Sequence, residues 1–371
     1  MSKTLQDYAT LINDTIQSNE INHYITTDNM CQNLGGIDTF KNINIPQGKV
    51  RSFQKDDVLL SNIRLYFRKV YRAKQKGGCS SDVLVFRAKH IDSATLFAIL
   101  SSQIFTDYAC SGSQGSKMPR GNKTHMMDFK IPTINFTIAK IFNSIQNKIE
   151  NNHKINELLH KILELLYEQY FVRFDFLDEN NKPYQTSGGK MKFSKELNRL
   201  IPNDFEVKTL GELTQLKVGN KNANHSSNQG KYPFFTCSNN PLRCETYQFE
   251  GKHIIISGNG NFYVTHYDGK FDAYQRTYVV NPNNPNHYVL IYLFVKSYTN
   301  YLKLQSRGSI IKFITKSDIE NIKIVLPNLK TYAKWNNVLK MIENNNQSTQ
   351  AITALRDFLL PLLLTQQVKP Q

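Results

Sequence analysis

Six basic side chains lie within thirteen residues that contain no acidic residue, between positions 64 and 76. Arginine and lysine neutralise phosphates, and aromatic rings or guanidinium planes can pack on sugars and bases. The pattern predicts a surface that contacts a polyanion, with a solvated basic hairpin as the alternative. The basic residues are Arg64, Arg68, Lys69, Arg72, Lys74 and Lys76, and Tyr66, Phe67 and Tyr71 lie among them.

Two further groups of polar residues carry donors that suit the edges of bases. In the first half of the chain they lie in a glycine-interrupted loop and are Gln114, Lys117, Arg120, Asn122 and Lys123. In the second half the matching candidates are Asn259, Asn261, His266, Tyr274, Gln275, Arg276, Ser306 and Arg307. Because Gln275-Arg276 lies between apolar tyrosines, we predict that one of the two faces the core and that Arg276 points outward.

The motifs that could indicate catalysis lack the residue spacing that each of them requires. Gly230-Lys231 is followed by Tyr232 and lacks the glycine spacing of a phosphate-binding loop. Ser257 to Asn261 is followed by a second strand instead of a helix, which predicts a tight hairpin. No histidine forms a metal-ligand pair with a nearby cysteine. We therefore predict no catalytic residue and no metal site, and an enzyme with an unfamiliar active site remains the alternative.

The elements that must hold these residues occur twice. Lys3-Thr4-Leu5-Gln6-Asp7 returns about 205 residues later as Lys208-Thr209-Leu210-Gly211-Glu212, and the Ser-x-Gly-Ser turn at Ser113 returns at Ser306. The offset drifts only to about 193, which is too long for a solenoid repeat. We predict a duplicated module in which each copy ends in a long helix.

Composition places these modules in a folded, basic protein. The formal charge is +16, with +6 in residues 1–133 and +7 in residues 206–333, so the excess lies in the two globular segments. The five cysteines form no CxxC pair, and no apolar run is long enough to span a bilayer. We expect reduced thiols, a cytoplasmic location and no membrane association.

Two segments carry apolar residues at alternating spacings of three and four, which predicts heptad seams. The first includes Ile138, Ile141, Ile145, Asn152, Ile155, Leu159 and Ile162, and the second includes Val338, Met341, Asn345, Ile352 and Leu355. Each seam holds an asparagine at an a position, and such a residue fixes register. We predict that Ile145, Asn152, Leu159, Val338, Asn345 and Ile352 pair the two helices, with separate surface helices as the alternative.

These patterns together predict an α+β fold made of two mixed α/β recognition domains. The predicted order is a first domain at 1–133, a helix at 134–175, a linker at 176–205, a second domain at 206–333, and a second helix with a tail at 334–371. The two helices are expected to pack as an antiparallel coiled coil.

Three features of this chain resemble the specificity subunits of type I restriction-modification systems. Leu200-Ile201-Pro202 through Leu210-Gly211-Glu212 is similar to the start of that family's target recognition domain. Tyr232-Pro233-Phe234-Phe235, Ser257-Gly258-Asn259-Gly260 and Tyr274-Gln275-Arg276-Thr277-Tyr278 resemble a recurrent second-domain pattern. The order of domain, helix, domain and helix covers nearly the whole chain. The first copy departs from the family because it lacks the Ile-Pro lead-in and has Gln6 where Gly is usual.

The resemblance implies a non-catalytic subunit that reads a bipartite site in double-stranded DNA and directs partner subunits to it. It implies two methylation subunits docked on the helices, together with restriction subunits that act as motor and nuclease. S-adenosylmethionine, ATP and Mg are then expected on those partners, and no cofactor on this chain. Two alternatives remain at this point: a helical scaffold with nonspecific DNA binding, and a remnant of a fused DNA methyltransferase.

Overall fold

The computed structural model describes residues 3–38, 43–131, 134–227, 229–309, 311–327 and 334–363. The chain divides into two compact units, Met1–Asn156 with Asn344–Gln371, and Glu157–Glu343. The predicted domain boundaries at 133 and 333 and the predicted tail after Leu364 fall outside the described residues. Within the described part of the chain, no helix combines the length and apolar character needed to cross a bilayer.

The first unit builds two four-stranded sheets and covers one of them with short helices. The strands are β1 (Ala9–Ile12), β2 (Thr15–Gln17), β3 (Tyr24–Ile25), β4 (Lys49–Phe53), β5 (Val58–Ser61), β6 (Val70–Arg72), β7 (Gly77–Cys79) and β8 (Val83–Ala88). The helices are α1 (Leu5–Tyr8), α2 (Ser93–Ser101), α3 (Gln103–Ser111), α4 (Lys123–Met127) and the long α5 (Phe136–Tyr167), which continues into the second unit.

Burial on both faces of β8 fixes the core of the first unit. Leu84 and Phe86 join the cluster that contains α2, whereas Val83 and Val85 pack with Phe53 in a separate cluster. This is the alternation of a strand between two apolar layers. Helices α2 and α3 are separated at Ser102, whose extended backbone ends α2 and whose hydroxyl accepts from the Phe105 amide of α3.

The second unit repeats this plan with one additional hairpin. Its strands are β9 (Met191–Ser194), β10 (Arg199–Pro202), β11 (Glu206–Thr209), β12 (Thr214–Val218), β13 (Tyr232–Phe235), β14 (Leu242–Cys244), β15 (Lys252–Ser257), β16 (Val264–Asp268), β17 (Asp272–Ala273), β18 (Thr277–Pro282) and β19 (Lys323–Leu326). Its helices are α6 (Leu210–Leu213), α7 (Tyr288–Ser297), α8 (Thr299–Gln305), α9 (Lys316–Glu320) and the start of the long α10 (Trp335–Leu359). The hairpin β9–β10 occupies the predicted linker.

Strand order confirms the duplication. The first unit orders one sheet β1-β8-β5-β6, and the second orders its counterpart β12-β18-β15-β16, with every neighbouring pair antiparallel. The same helix cap precedes this sheet in both units. The Thr4 amide donates to Asp7 at 2.6 Å, and the Thr209 amide donates to Glu212 at 2.6 Å. A shared scaffold therefore lies beneath side chains that differ.

The long helices α5 and α10 pair antiparallel, as predicted. Within the first unit, Asn152 Nδ2 donates to Thr349 Oγ1 at 3.0 Å, and Asn345 Nδ2 donates to Asn156 Oδ1 at 3.0 Å. Residue numbers that increase along α5 therefore face residue numbers that decrease along α10, so the two helices run antiparallel. The two asparagines of the predicted seam do hydrogen-bond across the helices, although neither bonds to the other. Such polar pairs specify register more than they add stability.

The predicted seam is correct in period and partly wrong in phase. Ile145, Leu159, Val338 and Ile352 are half-buried. Ile141, Ile155 and Ile162 were assigned to the same seam, yet they are about half exposed, as are Met341 and Leu355. The buried stripe of α5 instead runs through Phe142, Gln146, Ile149, Asn152 and Leu163. The helix carries two apolar stripes of similar spacing, and spacing alone does not identify the one that is buried.

Candidate nucleic-acid interface

Three backbone segments of the second unit meet at one end of β15 and β18. The Gly258 amide donates to Arg276 O at 2.7 Å, and the Gly260 amide donates to Lys312 O at 2.8 Å. The Ile314 amide closes the arrangement by donating to Gly258 O at 3.0 Å. We call this surface the second edge and define it by Asn259, Gln275, Arg276, Arg307 and Lys312.

Glycine is required at this meeting point. A Cβ on Gly258 would lie 2.7 Å from Arg276 O and 2.6 Å from the Tyr278 ring, so a side chain there would force the loop and the turn apart. Gly308 has φ +98, a region that L side chains rarely adopt, and allows the loop between Arg307 and Phe313 to fold back on itself. Gly258, in the segment Ser257 to Asn261, therefore serves close backbone packing.

The second edge displays more donors and positive charge than negative charge. Gln275, Arg276, Arg307 and Lys312 are exposed and Asn259 is half-buried. One acidic group is engaged there, because Arg307 Nη2 lies 3.2 Å from Asp318 Oδ1. Burial raises the pKa of Asp318, but hydrogen bonds from Thr315 outweigh burial and leave that pKa lowered. Asp318 is therefore an anionic helix cap that orients Arg307.

The first unit assembles an equivalent edge from equivalent backbone contacts. The Asn62 amide donates to Asp82 O at 2.8 Å, and Gln114 and Arg120 exchange backbone hydrogen bonds as Arg307 and Phe313 do. Arg64 joins them, because its amide donates to Pro119 O at 2.9 Å. We call this surface the first edge and define it by Ile63, Arg64, Asp82, Gln114 and Arg120.

The remaining residues predicted for this loop lie beside the first edge. Lys117 is exposed near the turn at Gly115, and its carbonyl accepts from Arg64 Nη2 at 3.5 Å. Lys123 is exposed at the start of α4, after the Asn122 cap. Arg120 lies 3.0 Å from the Asp82 carboxylate. The structure thus brings Arg64 together with the predicted polar loop, which the sequence places about fifty residues away.

The structure disperses the rest of the basic run. Arg68 Nη2 donates to Ser101 O at 2.9 Å, and burial lowers the pKa of Arg68. Lys69 donates to Thr27 O at 2.5 Å, and Arg72 lies 3.8 Å from Asp56. Arg64 and Arg68 both adopt left-handed backbone conformations, which turn neighbouring side chains in different directions. The four arginines and lysines therefore do not form one continuous phosphate-binding surface.

In the second unit the structure joins most of the predicted residues and separates one. Asn259, Arg276, Ser306 and Arg307 lie at or next to the second edge, and the exposed Asn261 donates to Tyr263 Oη at 3.1 Å in the adjoining loop. His266 lies in the interior instead. Its side chain is 10% exposed and its ring centroid is 5.0 Å from that of Tyr292.

The burial of His266 removes it from the candidates for DNA contact. Burial, followed by the charges of His160, Lys252 and Lys296, lowers the pKa of His266 to about 3. An imidazole that stays neutral inside a core is not a surface donor at neutral pH. The prediction failed because His266 lies on β16, where alternate side chains point inward.

The prediction for Gln275-Arg276 was half correct. Arg276 is exposed as expected, but Gln275 is exposed as well. The pair occupies a turn that the Thr277 amide closes by donating to Tyr274 O at 2.8 Å, and β18 begins only at Thr277. Strand alternation therefore does not apply to these two positions.

Sequence reasoning missed Lys312 and Lys221. Lys312 shares the loop of Arg307, so the repeated Ser-x-Gly-Ser turn was the available signal. Lys221 reaches the same region because its carbonyl accepts from the Gln275 amide at 2.9 Å. No local pattern links positions 221 and 275, and only the folded sheet brings them together.

A cleft in the second unit is lined by two carboxylates that accept hydrogen bonds from neighbouring residues. The cleft has a volume of about 660 Å³, and Glu196 and Asp318 contribute to its lining. Both act as hydrogen-bond acceptors for their own loops, Glu196 from Ser194 and Asp318 from Thr315. Hydrogen bonds lower the pKa of Glu196, so it is not tuned as a general acid.

Fold and surface together define a class of protein: a tandem pair of like domains, each with a polar edge, combined with two long antiparallel helices. Residues 202–355 match the family model described as the type I restriction modification DNA specificity domain. This part of the chain is therefore similar to the DNA specificity domain of type I restriction systems.

Two relatives show how far the sequence likeness extends. The chain is 38% identical over 132 residues to the type I restriction enzyme EcoDI specificity subunit of Escherichia coli, over 34% of this chain and 28% of that protein. It is 23% identical over 301 residues to the MjaIX specificity subunit of Methanocaldococcus jannaschii, over 72% of this chain and 67% of that protein. The match thus spans under a third of the first relative's length.

A solved structure shares the fold over almost the entire chain. The type I restriction-modification system S subunit from M. genitalium superposes with a TM-score of 0.60 at 15% identity, covering 98% of this chain and 96% of that one. The α+β architecture of two domains and two long helices is therefore that of a known S subunit.

Proposed function

We propose that this chain is a non-catalytic subunit that reads a bipartite sequence in double-stranded DNA, one half with each edge. The observation that carries this proposal is the pair of equivalent edges. Both are built by the same backbone contacts, and each displays exposed arginine with amide side chains. Arginine suits guanine, and asparagine or glutamine suits adenine, in the major groove.

The charge of the two units supports DNA as the partner. The chain carries a formal charge of +16, which favours a polyanion at any sequence through counterion release. Specificity needs a second contribution from base edges. The side chains that supply it on this proposal are Asn259, Gln275, Arg276 and Arg307 at one edge, and Arg64, Gln114 and Arg120 at the other.

The experiment that tests this function begins with the host genome. Methylated adenines are mapped with and without this protein, and a bipartite motif should disappear in its absence. A duplex carrying that motif should then bind the assembled complex more tightly than a scrambled duplex by a factor of about 1000 or more at physiological salt. Equal binding of both duplexes would indicate a nonspecific basic scaffold instead.

The partners we propose are two methylation subunits docked on the long helices, with restriction subunits completing the complex. Leu158, Ile162 and Leu165 form an apolar stripe on α5, and each is about half exposed. Three large apolar side chains on one helix face fit a protein partner better than solvent. On this proposal S-adenosylmethionine, ATP and Mg belong to the partners, and this chain binds none of them.

A paired set of variants tests the docking surface. Leu158→Glu combined with Ile162→Glu should abolish co-purification of the methylation subunit, because two charges would be desolvated in the contact. Leu304→Glu is the matched control, since Leu304 is 85% exposed on α8. Retention of the methylation subunit by the double variant would place the docking surface elsewhere.

A further inference from the structure

Three residues of different metal-ligating chemistry converge in the second unit, far apart in sequence. His225 lies in the loop before β13, Cys244 ends β14, and Asp272 begins β17. One ligand atom from each residue, namely a His225 ring nitrogen, Cys244 Sγ and an Asp272 carboxylate oxygen, lies within 4.8 Å of the other two. Cys244 and Asp272 are buried, and the His225 side chain is 25% exposed.

The buried carboxylate of Asp272 receives fewer hydrogen bonds than it can accept. The Asp272 side chain is fully buried, and its Oδ2 accepts from Thr246 Oγ1 at 2.6 Å and lies 3.3 Å from His225 Nε2. The same Thr246 hydroxyl lies 2.9 Å from His225 Nε2, a contact that a bound cation would replace. Its other oxygen, Oδ1, is buried with no hydrogen-bond partner among the described residues. An ionised carboxylate offers about four acceptor sites, and burying one without full compensation is costly. A cation at this point would supply that compensation.

The geometry suits a small tetrahedral ion. Nitrogen and oxygen ligands lie about 2.0–2.1 Å from zinc, so two of them at a tetrahedral angle are about 3.3–3.4 Å apart. The observed separation of His225 Nε2 and Asp272 Oδ2 is 3.3 Å. A cysteine sulfur beside an imidazole and a carboxylate is a ligand set that favours zinc over magnesium or calcium once the metal displaces the thiol proton.

We propose that His225, Cys244 and Asp272 form a zinc site, with water on the exposed His225 side as the fourth ligand. The ion would fasten the loop before β13 to the sheet β14-β13-β17. That loop also carries Lys221, whose carbonyl accepts from Gln275 of the second edge. Zinc would therefore hold one side of the second edge in place, and the site is independent of what that edge binds.

Among the described residues, this set of three ligands occurs in the second unit. Asp272 lies opposite Phe234 in the parallel pair of β13 and β17. In the equivalent pair of the first unit, Gly78 lies opposite Tyr24, and a Cβ on Gly78 would lie 2.5 Å from Ile21 Cδ1. The first unit thus has a closely packed glycine at the position that corresponds to Asp272.

Metal content of the untagged full-length chain tests the proposal. After dialysis against a chelator and return of zinc, the wild-type protein should retain about one zinc per chain. Cobalt in place of zinc should give a thiolate-to-metal charge-transfer band. His225→Gln and Cys244→Ser should each lose the zinc, and Cys244→Ser should also lose the band. Cys237→Ser is the matched control, because Cys237 is a free thiol of the same unit outside the site.

Thermal unfolding guards against a variant that simply fails to fold. Saturating zinc should raise the Tm of the wild type and of Cys237→Ser by several degrees and leave that of His225→Gln unchanged. His225 is the safest position to vary because it lies in a partly exposed loop. Absence of zinc from the reconstituted wild type, or equal zinc in wild type and His225→Gln, would overturn the proposal and leave a His–Asp ion pair.

Discussion

The two units build the same edge and place different side chains on it. In the second unit, the loop after β15 donates a backbone hydrogen bond to the carbonyl of Arg276. In the first unit, the loop after β5 donates the equivalent hydrogen bond to the carbonyl of Asp82. The bridge to the folded-back loop joins Asn259 to Phe313 in the second unit and Ile63 to Arg120 in the first. The two units therefore share backbone contacts at positions where their side chains differ in chemistry.

This difference separates two properties of one surface. The position of each loop is set by backbone hydrogen bonds and by glycines such as Gly258, and neither depends on the exposed side chains. The chemistry of the surface is set by exposed residues, and these can be replaced without breaking those hydrogen bonds. A protein that reads two different half-sites with one fold needs this separation, because strands that shifted with every change of specificity would lose their register.

The largest expected effect comes from lengthening both long helices by one turn. Four residues inserted after Lys154 and four after Gln347 preserve the antiparallel pairing on either side, because Asn152 pairs with Thr349 and Asn156 with Asn345. One turn adds about 6 Å, or roughly two base pairs. Binding to the original target should fall about 1000-fold, and a target with a gap longer by one or two base pairs should restore it.

Inserting the four residues in α5 alone is the control for this experiment. That change shifts one helix against the other and should lower the Tm. A paired insertion that assembles normally and keeps the original gap would show that the helices do not set the spacing.

A smaller effect on DNA binding is expected from substituting Arg276, the turn residue that corresponds to Asp82 of the first unit. Arg276→Ala should weaken specific binding about 10- to 100-fold, because a bidentate contact to guanine is worth about 1–3 kcal/mol. Nonspecific binding should change little. Lys270→Ala is the matched control, since Lys270 is a cation of the same unit that faces Glu250 at 3.8 Å. Equal losses for the two variants would mean that Arg276 contributes charge alone.

The smallest effect should distinguish two arginines of the same basic run. Arg64→Ala should reduce the slope of log K against log salt by about 0.9 if Arg64 contacts one phosphate at the first edge. Arg68→Ala should leave that slope unchanged and lower the Tm instead, because Arg68 donates to Ser101 O inside the unit. A reduced slope for Arg68→Ala would place the whole run on the DNA.

Much of the fold could be predicted from patterns that follow local periodicity. Both long helices carry heptad signals within a few residues of one another, and the repeat is visible in short motifs that return about 200 residues later. The buried face of α5 could not be predicted, because Ile155 and Ile162 have the same spacing as the residues that pack. Burial there is decided by the partner helix, which spacing does not describe.

The candidate interface was predictable to a smaller degree. The polar loop at Gln114 and the turn at Arg276 were found because glycines and repeated motifs mark them. The dispersal of Arg68, Lys69 and Arg72 depends on carbonyl acceptors supplied by distant segments. The prediction of no metal-ligand pair was made from sequence spacing, and His225, Cys244 and Asp272 meet only through the pairing of β13 with its neighbours.

The most direct test of two edges reading two half-sites is an exchange of the second unit's recognition segment. Residues 206–333 are replaced by the equivalent segment of a relative with a known, different target, and methylated adenines are mapped across the host genome. We expect one half of the bipartite motif to change to that of the donor, with the other half and the gap retained. A change in both halves, or in neither, would contradict the assignment of one half-site to each edge.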